Sequence, residues 1–238
     1  MTGRIEIFAT PKRQAESVAE WLLSEMNGSS GDFRVALAGG NTPRLLYELL
    51  ASAPLNARVP WQRLQLFWGD ERFVPYTDRD SNFGMSLATL LRDAPLPVEH
   101  VHPMPVTGTP EDAAARYDAL LRTVKAQDET RPLFDVVLLG MGADGHTASL
   151  LPESPLLDEH ERWVAAVDNG RPQARITLTL PAIASSRIVA FLVAGVDKSG
   201  AVMDALAGRT ALPAARVQSE GKVLWFLDRA AAGPLYHK

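Results

Sequence analysis

Short apolar runs alternate with amphipathic stretches from one end of this chain to the other, and that alternation limits the possible folds more than any other feature. The runs cover residues 33–38, 64–68, 134–139, 163–167, 188–194 and 223–227, and Arg4-Ile5-Glu6-Ile7-Phe8 reads as a short strand ahead of them. Several are unbroken apolar stretches, as expected of central strands covered on both faces. Between them, Thr-Pro recurs at Thr10-Pro11, Thr42-Pro43 and Thr109-Pro110. Each pair predicts a helix start, with Thr as N-cap and Pro at the first helical position, where its missing N–H costs nothing. The first helix then carries Ala15, Val18, Ala19, Leu22, Leu23 and Met26 at helical spacing; the third carries Ala113, Tyr117, Leu120, Leu121 and Val124. Strand and helix alternating throughout predict an α/β fold built on a doubly wound, largely parallel sheet.

No linker, repeat or low-complexity tract divides the chain, so one domain over residues 1–238 is expected. A net charge of -4 argues against a nucleic-acid partner, which needs a clustered basic face. No apolar run approaches the ~20 residues of a membrane span, and residues 1–10 read as a strand rather than a leader. The chain has no cysteine, which removes disulfides, a thiol nucleophile and cysteine zinc sites. Cytoplasmic residence is the expectation.

In an open α/β sheet, ligands bind beyond the carboxyl ends of the strands. Four segments occupy such positions. The first, Ala38-Gly39-Gly40-Asn41-Thr42-Pro43, joins a strand to a helix, where free N–H groups suit an anion; alternatively Thr42 only caps the helix. The second begins Gly69-Asp70-Glu71-Arg72, and Arg72 offers a planar fork for phosphate or carboxylate. The third, from Phe134 to Pro152, contains Gly140, Gly142 and Gly145 in the spacing of a dinucleotide fingerprint. That fingerprint needs a long helix after its third glycine, and Pro152 and Pro155 leave room for two turns at most. What remains is a glycine-rich loop presenting Asp144 and His146, in which an imidazole can serve as a base with its tautomer fixed by the carboxylate; alternatively the histidine is structural. The fourth runs from Arg175 to Pro181 and on to Lys198, which stands past a strand end at a helix start. His100 and His102 read as surface positions on a short strand, and His160 and His237 lie in polar or terminal surroundings. No metal-ligand spacing appears, and no metal or cofactor is expected.

Together these segments resemble the 6-phosphogluconolactonase family. The resemblance is carried by Gly39-Gly40-Asn41-Thr42-Pro43; by Asp70-Glu71-Arg72 with Val74-Pro75 and Ser81-Asn82; by Gly140-Met141-Gly142-Ala143-Asp144-Gly145-His146-Thr147-Ala148-Ser149; and by Arg175 to Thr179 with Lys198. It implies a Rossmann-like fold shared with glucosamine-6-phosphate deaminase, metal-free hydrolysis of a sugar-phosphate lactone, and a place in the oxidative pentose phosphate pathway. Asn41 stands where Ser is commoner in the family. Phosphate would be held by Gly39, Gly40, Asn41 and Thr42 with Arg72, Arg175 or Lys198, while Asp70 and Gly142 line the site and His146 with Asp144 performs the chemistry. The partner implied is the small-molecule lactone, on a monomer or weak homodimer. Deaminases carry a catalytic Glu five residues after the His; here that position is Leu151, which relays no proton. A sugar-phosphate sensor without catalysis is the non-enzymatic alternative.

Overall fold

The computed structural model describes residues 3–168 and 172–237. In chain order its elements begin with β1 (Arg4–Phe8), α1 (Pro11–Gly28), β2 (Phe33–Leu37) and α2 (Asn41–Ala51). Then come β3 (Leu64–Trp68), β4 (Asp70–Arg72), α3 (Asn82–Ser86), α4 (Pro110–Ala126) and β5 (Phe134–Leu139). They are followed by β6 (Val164–Val167), β7 (Arg175–Leu178), α5 (Leu180–Ala184), β8 (Ser186–Val193) and α6 (Ser199–Leu206). The chain closes on α7 (Pro213–Arg216), β9 (Lys222–Asp228) and α8 (Arg229–Ala232). The strand expected at the N-terminus starts at Arg4; Met1, Thr2 and Lys238 lie outside the described residues.

Six strands form one parallel sheet in the order β1-β9-β8-β5-β2-β3. This is the doubly wound, largely parallel sheet the alternation predicts and the Rossmann-like fold the resemblance implies. From β2 the chain steps to β3 at one edge, and from β5 it steps through β8 and β9 toward the other. The order therefore reverses between the neighbours β2 and β5, and a crevice opens beyond their carboxyl ends.

The helices follow the caps read from the sequence at two of three places. Thr10 accepts a hydrogen bond from the Arg13 N–H and Thr109 from the Asp112 N–H, each with Pro next in the chain. At the third place Gly40, not Thr42, is the N-cap, so the helix begins earlier and Thr42 lies inside its first turn. The apolar stripe of α1 is buried against the sheet, at roughly 1.5–3 kcal/mol for each large side chain. Buried Gln14 on the same helix donates to the carbonyls of Val193 (3.0 Å) and Phe226 (2.6 Å), tying the ends of β8 and β9 together.

The run at 163–167 does not join the parallel sheet. It forms β6 of a separate three-stranded antiparallel sheet, β4-β7-β6. The reason lies in α4, where Asp118 accepts from the N–H of Trp163 (2.6 Å) and Val164 (3.2 Å) and Arg122 stacks over the Trp163 ring at 4.9 Å. The segment at His100 and His102 also departs from expectation, being a 3₁₀ turn and a single bridge rather than a strand. His102 is packed instead of solvated: its ring stacks on Phe67 at 4.5 Å and its Nε2 lies 2.8 Å from Gln65 Oε1.

Candidate active site

The loops after β2, β3, β5 and β8 converge at the reversal point on a cleft of about 360 Å³. Gly39, Gly40, Asn41, Thr42, Asp70, Arg72, Gly142, His146, Arg175 and Lys198 all line it. Asp144 reaches it through its hydrogen bond to His146.

After β2 the chain turns directly into α2. Gly40 has no side chain with which to cap the helix, so the first N–H groups of α2 open toward the cleft. The turn is pinned from behind by the fully buried Tyr47, whose hydroxyl donates to the Ala38 carbonyl (2.8 Å) and accepts from the Ala38 N–H (3.0 Å).

After β3 and Gly69 the acids of β4 split their duties. Buried Glu71 accepts from the N–H groups of Arg72, Asn82 and Phe83 and from the Ser81 hydroxyl, all within 3.0 Å, and so caps α3. Burial raises its carboxyl above the ordinary value, opposed by those four hydrogen bonds. Asp70 is also buried, and both its oxygens are engaged. Oδ2 accepts from Ser149 Oγ at 2.6 Å and lies 3.8 Å from Arg175, while Oδ1 accepts from Asn82 Nδ2 at 3.1 Å. Arg72 and Arg175 stand opposite one another in the β4–β7 register. Arg72 donates to the Asp80 carbonyl, and its Nε is buried with no partner among the described residues. Two facing cations repel unless an anion lies between them.

After β5 the glycine-rich loop folds back on itself. The Gly142 N–H donates to the His146 carbonyl (2.9 Å) and the Gly145 N–H to the Gly142 carbonyl (3.0 Å). No long helix follows the third glycine; the chain turns through the Thr147–Leu150 bridge, which removes the dinucleotide reading. Asp144 Oδ1 lies 2.5 Å from His146 Nδ1 and accepts from the His146 N–H at 3.1 Å. Burial alone would raise the Asp144 carboxyl, but the bonds from the His146 ring and backbone outweigh it and hold the pKa below the ordinary carboxylate value. An ionised carboxylate only accepts, so Nδ1 carries the proton and Nε2 is left as a base.

After β8, Lys198 stands at the start of α6 without a side-chain cap, its ammonium 3.0 Å from Asp197. Three cations thus stand around a cleft whose buried carboxylate, Asp70, is already engaged. The sequence singled out Ser81-Asn82 and Ser149 only as parts of motifs and did not mark Tyr47. Ser149 meets Asp70 across 79 positions, while the Tyr47–Ala38 and Asn82–Asp70 contacts span only 9 and 12 but cross from a helix to a strand end, so no periodic pattern announces them.

Residues 9–225 match the family model described as glucosamine-6-phosphate isomerases/6-phosphogluconolactonase. The chain belongs to that family. A 6-phosphogluconolactonase of Mycobacterium tuberculosis is 42% identical over 248 aligned residues, covering 99% of each chain. The crystal structure of a 6-phosphogluconolactonase from Thermotoga maritima matches with a TM-score of 0.82 at 30% identity, covering 94% of this chain and 99% of that one. A monomeric glucosamine-6-phosphate deaminase, 19% identical with a TM-score of 0.81 over 96% of this chain and 98% of its own, shares the fold. These likenesses agree with the enzyme class and the fold that the motifs imply. No helix among the described residues is long and apolar enough to cross a membrane.

Proposed function

We propose that the chain, acting as one α/β domain, hydrolyses 6-phospho-D-glucono-1,5-lactone to 6-phospho-D-gluconate, a step of the oxidative pentose phosphate pathway. The observation that carries this reading is the shared cleft: a carboxylate-oriented imidazole faces the same space as an uncapped helix N-terminus and three cations. The helix start at Gly40 to Thr42 and a neighbouring cation take the phosphate.

His146 Nε2 accepts a proton from water as the water oxygen bonds to the lactone carbonyl carbon, and Asp144 stabilises the imidazolium that forms. The tetrahedral intermediate then collapses, the bond from that carbon to the ring oxygen breaks, and His146 returns its proton to the departing oxygen. The N–H groups of Gly142 and Gly145 are spent within their own loop, so stabilisation of the oxyanion falls to the cationic side chains rather than to those amides. Leu151 shares a small crevice with His146 and Arg175, and its apolar side chain gives the deaminase reaction no proton relay there.

The test follows freshly generated lactone by phosphorus NMR, with and without protein, in the presence of chelator. Accelerated conversion to 6-phosphogluconate supports the reading. Folded protein that leaves the spontaneous rate unchanged contradicts it, as does acceleration that chelator abolishes.

A further inference from the structure

Asn82 lies against the cleft and is 3% exposed, yet the mechanism assigns it nothing. Its surroundings fix its side chain closely. Nδ2 donates to the Asp70 carbonyl at 2.8 Å and to Asp70 Oδ1 at 3.1 Å, so both amide hydrogens are used. That pairing settles which end of the amide is nitrogen, since both Asp70 atoms are acceptors. The backbone is equally committed: its N–H donates to Glu71 and its carbonyl accepts from Ser86. What remains is Oδ1, to which no described residue donates. This oxygen lies against Gly39, where an added Cβ would come within 2.0 Å of it. Gly39 itself lines the cleft, so the missing side chain is what uncovers the acceptor.

A sugar-phosphate lactone needs such a group. Its ring carries hydroxyls that must donate, while the cations and helix N–H groups around the cleft can only donate themselves. The carboxylate nearest the cleft, Asp70, already has both oxygens occupied.

The structure assigns to Asn82 Oδ1 the role of acceptor for one ring hydroxyl of the substrate, with Asp70 as the residue that positions it. This rests on the lactonase reading and deepens it. Gly39 is thereby retained for access to Asn82 as well as for the phosphate turn. A buried amide held in this way rejects a substrate that lacks the hydroxyl, because the acceptor is then left dry and unpaired.

The experiment measures kcat/KM for the lactone and for its 2-deoxy, 3-deoxy and 4-deoxy counterparts, in the wild type and in Asn82→Ala. The wild type should lose about five- to twentyfold on one of the three analogues through that hydroxyl bond. Asn82→Ala should lose a similar factor on the parent lactone and discriminate that analogue by less than about twofold. Asp70→Asn should also blur the discrimination, which a purely structural weakening would leave intact. Should Asn82→Ala fail to fold, Gly39→Ala applies the same test by displacing Oδ1. Variants that keep the wild-type discrimination against all three analogues overturn the assignment while leaving the lactonase activity standing. A wild type that hydrolyses none of the four lactones overturns both.

Discussion

Asp144 and His146 meet because of an atom that is absent. A Cβ on Gly142 would fall 2.1 Å from the His146 ring and 2.4 Å from Asp144 Oδ1, so only glycine leaves room for the pair. Gly142→Ala should therefore fold but lose activity. The kcat should drop by about two powers of ten as the imidazole is pushed from its carboxylate, the scale of a disturbed general base. Steady-state kinetics beside a normal circular dichroism spectrum checks this, and wild-type kcat would show that the contact is dispensable. Asp144→Asn leaves the shape and removes the charge that fixes the tautomer, and it should lower kcat far more than it raises KM. An effect confined to KM would place Asp144 in binding instead.

At the scale of elements, the loops depend on side chains that reach back into the sheet. Tyr47 on α2 satisfies both polar groups of Ala38 at the end of β2. Tyr47→Phe strands two buried groups and should destabilise by about 1–3 kcal/mol in urea titration; an unchanged midpoint would mean water replaces the hydroxyl. Glu159 does similar work before β6, accepting from the N–H groups of His160, Glu161 and Arg162 and from the Arg162 guanidinium. These bonds hold its pKa at about 2, against about 4.3 for a free Glu. A depressed carboxylate adds stability above its unfolded value and loses it as pH falls toward the folded one. The urea midpoints of wild type and Glu159→Gln should thus differ at pH 7 and converge between about pH 4.3 and 2. Parallel curves would contradict this. Such elements also mark what a sequence can disclose. The central parallel strands were legible because burial on both faces demands apolar runs, and α1 and α4 because Thr-Pro caps have a fixed local chemistry. The strand β4 was not: its residues Asp70, Glu71 and Arg72 carry no strand signature and pair only because β7 supplies an edge. Thr42 misled for a related reason, since Gly40 starts the helix where an uncapped end is useful.

For the whole molecule, what matters is that four distant loops converge at one reversal of strand order. Most residues around the cleft were legible because they follow the ends of β2, β3, β5 and β8, whereas Arg175 reaches it from the start of β7. Their mutual orientation was not, because it depends on bonds such as Ser149 to Asp70 that no local spacing encodes. On the proposed reading this cleft binds product only when folded, so 6-phosphogluconate at a hundred times its Kd should stabilise the protein by about 2.7 kcal/mol. Calorimetry with and without ligand measures this shift, and no shift at saturating ligand would contradict a sugar-phosphate site. The most direct test of the central claim compares lactone turnover in wild type and His146→Ala, with product affinity measured on both. The account predicts that kcat falls by about two to four powers of ten while product affinity stays within a few-fold. Near-normal turnover in His146→Ala would contradict it.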